Sequence, residues 1–274
     1  MRKKLINGAI YLLLIIAALI VSFPILWMLT VSVRPNVEVL KIPPTWLPQT
    51  FTFDAYRQVL GNVRYTRCFF NSYFIALSVT LLALVFGSLA GYALNRFQFR
   101  GKKLILGFLI ITQMFPLVLL TIPYFQTLVT LGLYDTLTSL ILVYTSFCLP
   151  FCILMLMSYF ADIPRELEEA AMVDGCSRLQ AIWRVIMPLS FPALIGAGLY
   201  TFLLAWNEFL FAVVLIESWE KRVVTMAIYS LLAEFVTEWN MLMAFSVIAS
   251  APLVVAFIFL QKYVVRGMTV GAIR

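Results

Sequence analysis

Histidine does not occur once in the 274 residues. Its absence removes HExxH metalloprotease chemistry, Ser-His-Asp triads and His-ligated metal centres together. No G-x-x-x-x-G-K-[ST] phosphate loop is present either, so the chain carries no such site for hydrolysing ATP. Charge is scarce: Asp, Glu, Lys and Arg make up 12% of the residues against 63% hydrophobic ones, and mean hydropathy is +0.98. Soluble domains are about half apolar, so the composition points to an integral membrane protein. Of the four cysteines, only Cys68 is expected on an oxidising side, where it has no partner, so no disulfide framework is implied. Cys148 and Cys152 have helical spacing but no third ligand and read as packing, and Cys176 is given no role. No catalytic residue and no metal site is expected.

Long uninterrupted apolar runs replace the alternating segments of about ten residues that a membrane barrel needs, and the fold class is all-α. Runs long enough for a hydrocarbon core, roughly 20 helical residues, lie near 8–33, 72–94, 104–125, 137–157, 191–216 and 241–261. They predict six transmembrane helices in a single domain, 1–274. The N-terminal run outlasts a signal peptide's apolar core and no cleavage site ends it, so it is read as a retained first span. With both termini cytoplasmic, thirteen of the twenty Lys and Arg residues fall on inner segments. Five others, Arg34, Lys41, Arg57, Arg64 and Arg67, sit in the first outer loop against that trend. The net charge of +7 is dispersed by topology and not gathered in a stripe, which suits lipid headgroups and argues against nucleic acid.

In the first outer loop, Pro43, Pro44 and Pro48 keep the chain extended, and Phe53 to Leu60 predicts a short amphipathic helix at the interface. Trp46, Phe51 and Tyr56 suit headgroup level. Gly91 permits close helix packing in the second span. Pro116, Pro123 and Pro150 interrupt the third and fourth spans, either as ordinary kinks or as marks of a moving core.

The segment 160–190, between spans four and five, is the one polar interruption that looks built to dock. Asp162 and Pro164 signal a helix start, and Glu166, Glu168 and Glu169 place negative charge at the positive end of its dipole. The predicted helix runs near 163–173. Ala170 and Ala171 form helix well and let another surface approach the backbone. Asp174-Gly175 supplies a left-handed stop. A second helix from Ser177 places Leu179, Ile182, Trp183 and Ile186 on one face. The residues alone allow an interfacial connector or a docking element.

The run Glu169, Ala170, Ala171, Gly175 and Pro188 resembles the EAA loop of ABC importer permeases (EAA, three residues, G, nine residues, I, one residue, L, P), with Val185 and Met187 at the Ile and Leu positions. Further segments extend the resemblance over nearly the whole chain to the binding-protein-dependent sugar permeases. They are PPTWLP (43–48), Asn71-Ser72, YALNRFQFRGKK (92–103), LGLYDT (131–136), WNEF (206–209) and RGMTVGAI (266–273). The resemblance implies an inner-membrane subunit that pairs with a second, similar permease and receives a sugar-like solute from an extracytoplasmic binding protein. It also implies two copies of a cytoplasmic ATPase, which bind ATP and Mg and seat the EAA helix in a cleft. The coupling residues it implies are Glu166, Glu168, Glu169, Ala170, Ala171, Met172, Asp174 and Gly175. No cofactor is implied in this chain.

Asn207 and Glu208 fall inside the fifth span, where an ionisable group costs roughly 2.5–3.5 kcal/mol to insert. They are assigned to the translocation path or gate, either as solute contacts or as a lock between helices. Because WNEF resembles a segment shared across many substrates, the lock or gate is favoured. The alternative to an ATP-driven importer is a secondary transporter driven by an ion gradient, for which Glu208 is the one acidic candidate in the six spans and no repeat is evident. The tail Arg266 to Arg274 is read either as reaching toward the ATPase or as an unstructured end.

Overall fold

The computed structural model describes residues 2–233 and 238–269, without the side chains of 2–5, 9 and 263–269, so residues 270–274 of the C-terminal tail lie outside the described residues. Among the described residues every regular element is helical. In chain order they are α1 (Arg2–Ser32), α2 (Asn36–Val39), α3 (Asp54–Gly61), α4 (Val63–Arg96), α5 (Lys102–Met114), α6 (Thr121–Thr130) and α7 (Leu137–Ala161). They continue with α8 (Arg165–Val173), α9 (Arg178–Ala181), α10 (Met187–Leu189), α11 (Phe191–Asn207), α12 (Leu210–Leu215), α13 (Val224–Ala233) and α14 (Trp239–Thr269). Among the described residues four helices are long and apolar enough to cross a membrane, or up to six spans if each of two bent pairs counts as one.

The first bent pair is the third hydrophobic stretch, expected as one run over 104–125. It turns by 98° between Lys102–Met114 and Leu117–Thr130. Pro116 causes the turn: it lacks an N–H and disfavours a helical residue before it, and Phe115 is extended at φ −77, ψ 129. Pro123, in the first turn of α6, disturbs nothing because the N–H groups there have no intrahelical partner. The second pair, Arg178–Leu189 with Phe191–Asn207, is bent by 78° at Ser190.

The chain divides into two compact units, Met1–Thr66 with Ala227–Pro252 and Arg67–Met226 with Leu253–Arg274. In the first, α1 exposes nearly all of its large apolar residues. The proline-rich segment after it folds around Arg34, which is buried and donates to the carbonyls of Thr45 and Trp46 at 2.7 Å each while its guanidinium lies over Trp27. Arg34 is therefore an internal staple, which accounts for one positive charge that topology left unexplained. Buried Glu38 closes the same segment. Backbone N–H donation from Gln49 is the main reason its carboxyl lies below the ordinary value, and it also accepts from Thr50 and Thr45. The short helix expected over Phe53 to Leu60 is α3, which buries Ala55 and Val59.

In the second unit, α7 is the central helix, packed by α5, α11 and α12. Gly91 allows the close approach the sequence predicts, and Gly87 one turn earlier does the same. A Cβ on Gly91 would lie 3.0 Å from the Ile153 carbonyl and the Met157 nitrogen, and one on Gly87 would lie 2.8 Å from the Cys152 sulfur. Buried Cys148 and Cys152 are thus packing groups. Gln113 donates to the carbonyl of Phe147 on α7.

Candidate functional site

Each end of the 160–190 segment is fixed by local chemistry. Pro164 stands just before α8 at φ −56, ψ 137, and Glu166 and Glu168 occupy the first turn. At the other end Gly175 has φ +89. Cys176 N–H donates to the Ala171 carbonyl at 3.0 Å and Gly175 N–H to that of Met172 at 3.1 Å, which is the Schellman arrangement. Ser177 then opens the next helix with a capping box: its hydroxyl accepts from Gln180 N–H, and the Gln180 side chain accepts from Ser177 N–H. Between Ile182 and Ile186 the backbone takes a wider π turn. The expected single apolar face divides there, with Ile182 and Ile186 buried and Leu179 and Trp183 exposed.

The eight coupling residues do not share one environment. Glu166, Glu169 and Ala170 are exposed and, at helical spacing, lie on one face with Val173, an apolar residue 86% exposed that the sequence reading passed over. Asp174 and Gly175 are exposed beyond the helix end, and Met172 is half-buried. Ala171 and Glu168, three residues apart, face inward, Glu168 being only 5% exposed. The Glu168 carboxylate pairs with Arg96 Nε at 3.2 Å and accepts the Tyr92 hydroxyl, while Arg96 Nη2 donates to the Ile163 carbonyl at 3.0 Å. Glu168 is therefore a tether to the end of α4 and is not part of the exposed face. Beside it lies a small polar hollow of about 90 Å³ lined by Arg96, Arg165, Glu168, Glu169, Met172 and Arg178.

Asn207 and Glu208 lie at a break in the fifth apolar stretch, not inside a continuous helix. Glu208 leaves α11 extended, at φ −68, ψ 133, and its carboxylate accepts N–H groups of Phe211 at 3.1 Å and Ala212 at 3.3 Å, capping α12. Thr225 donates to the Glu208 carbonyl, and the buried Tyr144 hydroxyl lies beside the carboxylate. Asn207 donates back to the Leu203 carbonyl and is exposed. Trp206 packs edge-on to Tyr73. With each carboxylate oxygen accepting a backbone N–H, Glu208 caps the start of α12.

The segments flagged by resemblance converge beyond this break. Asn71 donates to the carbonyls of Glu220 and Arg222 at 2.9 Å each, and the Ser72 hydroxyl accepts from Val224 N–H. Asp135, at φ 54, accepts from the N–H groups of Glu217 and Ser218 at 3.0 Å, from the Ser218 hydroxyl and from Lys221 Nζ at 2.8 Å. Burial alone would raise the Asp135 pKa, but donation by Lys221 and Ser218 outweighs it and holds the carboxyl well below the ordinary value. Neither role was visible in the sequence. A larger hollow of about 420 Å³, bordered by Leu84, Trp183, Phe191 and Leu194, is almost wholly apolar and contains none of the predicted residues. Ser88 carries the one hydroxyl among the described residues on its wall, and that hydroxyl bonds back to the Leu84 carbonyl.

Comparison with known proteins gives the family and the fold. Residues 83–270 match the family described as binding-protein-dependent transport system inner membrane component. The sulfoquinovosyl glycerol transport system permease protein SmoH of Agrobacterium fabrum is 37% identical over 92% of this chain and 88% of its own. The trehalose/maltose transport system permease protein MalG of Thermococcus litoralis is 36% identical over 100% and 97%. Among solved structures, a bacterial ABC transporter involved in the import of the acidic polysaccharide alginate superposes with a TM-score of 0.84 at 26% identity, over 96% of this chain and 98% of that one.

Proposed function

We infer what this chain does from a plain premise: it belongs to the family of binding-protein-dependent transport system inner membrane components. It is a multi-pass inner-membrane permease of an ABC importer for carbohydrates, as its relatives are. In the reading advanced here the six apolar runs expected from the sequence are the spans, the third bent at Pro116 and the fifth broken at Glu208, with both termini and α8 on the cytoplasmic side. The chain pairs with a second permease, and two copies of a separate ATPase bind ATP and Mg. An extracytoplasmic binding protein delivers the solute.

The observation that carries this reading is the face of α8. Glu166, Glu169, Ala170 and Val173 stand outward while Glu168 and Ala171 face inward, on a helix held by a Schellman stop and a capping box. A helix oriented this firmly with an uncovered mixed face suits a partner cleft: the small Ala170 allows close approach, Val173 adds apolar contact, and Glu169 offers a charge-assisted bond. Closure of the ATPases on nucleotide then moves α8 and switches the pore between outward- and inward-facing states. Glu208 caps α12, and no observation favours a gradient-driven carrier.

The test is reconstitution of the complete complex with Glu169→Lys. The chain should still insert, since the residue is exposed, while ATPase co-purification and solute uptake fall at least about tenfold, the loss of roughly 1.4 kcal/mol of binding. Retained ATPase and unchanged uptake would show that this face is not the docking surface.

A further inference from the structure

We propose that the buried Glu168–Arg96 ion pair, with Tyr92, is the link that passes displacement of α8 to α4, so that Glu168 and Arg96 are positioning residues of the transport cycle. The proposal rests on α8 being the coupling helix and adds how its movement enters the membrane part of the chain. α8 has nine residues and turns at both ends, so it needs a stiff connection if pushing it is to move anything else.

Apolar seating would hold the helix without fixing its position along the seat, because hydrophobic contact is not directional. Here the Tyr92–Glu168 and Arg96–Ile163 hydrogen bonds are directional, and the ion pair between them is enclosed. The side chains of Arg96 and Glu168 are 6% and 7% exposed and meet at 3.2 Å. The same guanidinium donates to Ile163, in the turn that leads from α7 into α8, so one side chain grips both the helix and its entry. Tyr92, one turn earlier on α4, bonds the other carboxylate oxygen, and Asn95 donates to the Met157 carbonyl of α7.

Slippage of α8 would strand a buried charge, and removing one partner of such a pair is strongly unfavourable. The cost forces α4 to follow. α4 has 34 residues and is about 51 Å long at 1.5 Å per residue. Its glycines lie close against α7, so displacement at Arg96 is carried far along the chain by a rigid element. The exposed face of α8 makes the external contact, and this internal pair transmits it.

The experiment uses the complete transporter, with both permeases, the ATPase pair and the binding protein, in proteoliposomes, and reads solute taken up per ATP hydrolysed. Glu168→Gln keeps the size and can still accept from Tyr92 but loses the charge. The ATPase should remain bound and hydrolysis continue, while uptake per ATP falls about tenfold, a usual size for coupling between sites. Tyr92→Phe, which removes one hydroxyl and keeps the ion pair, should lower the ratio about twofold to threefold, near the lower end of what residues in a coupling network contribute. An unchanged ratio in assembled Glu168→Gln overturns the proposal, as does a loss of uptake and hydrolysis in equal proportion, because a merely structural pair gives that result. If Glu168→Gln does not assemble, an unchanged ratio in Tyr92→Phe overturns it. Glu169→Lys separates the two readings: ATPase still bound to that variant sinks the docking face, whereas ATPase lost from it together with a normal ratio in Glu168→Gln sinks the link alone.

Discussion

Two connections in the second unit are pinned by buried polar side chains, yet only one of them leaves a face uncovered. The segment 216–225 is held by Asn71, Ser72 and Asp135, and its own Thr225 donates to the Glu208 carbonyl. The bonds of Asn71, Ser72 and Asp135 run to its backbone, to the Ser218 hydroxyl and to Lys221, and that of Thr225 ties it to the Glu208 break. The α8 segment is tied by one carboxylate, Glu168, and two local turn motifs, so Glu166, Glu169, Ala170 and Val173 remain free. The difference separates two uses of polar groups in an apolar chain. Many bonds turned inward make a fixed corner, whereas few bonds on one side of a helix make a handle.

The largest effect that can break this comparison is expected from Asp135→Ala. It removes the acceptor of Lys221, of the Ser218 hydroxyl and of two N–H groups, and hydrogen bonds to charged groups contribute about 1.5–3 kcal/mol. Lys221 is 39% exposed and solvent shares the load, so a loss of about 2 kcal/mol is expected, read as a lower unfolding midpoint of the detergent-solubilised chain. An equal loss from Glu169→Ala would erase the distinction between corner and handle, since that exposed residue should leave stability unchanged.

Gly175→Val comes next. Nothing crowds the position, but φ is +89, where a side chain costs roughly 1–2 kcal/mol, so α8 should lose its fixed exit and ATPase co-purification should weaken. Ser177→Ala removes half of the capping box and should cost about 1 kcal/mol, seen as faster hydrogen exchange across 178–181 with 216–225 unaffected.

The smallest effect concerns pH. The Asp135 carboxyl is held below its ordinary value of 3.8, so the folded chain binds this proton less readily than the unfolded one. Its contribution is complete above the unfolded value and fades as pH falls below it toward the folded value. Stability should therefore decline from about pH 4 downward, and Asp135→Asn should flatten that decline while Ser177→Ala leaves its shape unchanged.

What could be read from the residues alone follows the range of each interaction. Pro164, Asp174-Gly175 and Ser177 act within a few positions of themselves; the helix expected near 163–173 is observed over Arg165–Val173, and one does open after Ser177. The tether was not legible, because Glu168 meets a residue 76 positions away and reads, in sequence, as one more acid in a first turn. Asp135 and Asn71 find their partners 83 and 151 positions away. LGLYDT and Asn71-Ser72 stood out only by resemblance, without a reason. The bend at Pro116 had a visible cause, but the break at Glu208 has neither proline nor glycine. It exists because a carboxylate caps the following turn, and hydrophobic periodicity does not register that. Val173 was missed because an isolated valine looks like any other apolar residue until its neighbours turn away.

The central claim is that the outward face of α8 meets a cytoplasmic ATPase. The most direct measurement is thiol cross-linking in membranes containing the whole complex, using Val173→Cys with Cys176 replaced by serine. The account expects a cross-link from position 173 to the ATPase subunit and no labelling of that thiol by an impermeant reagent applied from the extracytoplasmic side. Labelling from that side, or a thiol that never reaches the ATPase in an active complex, would contradict it.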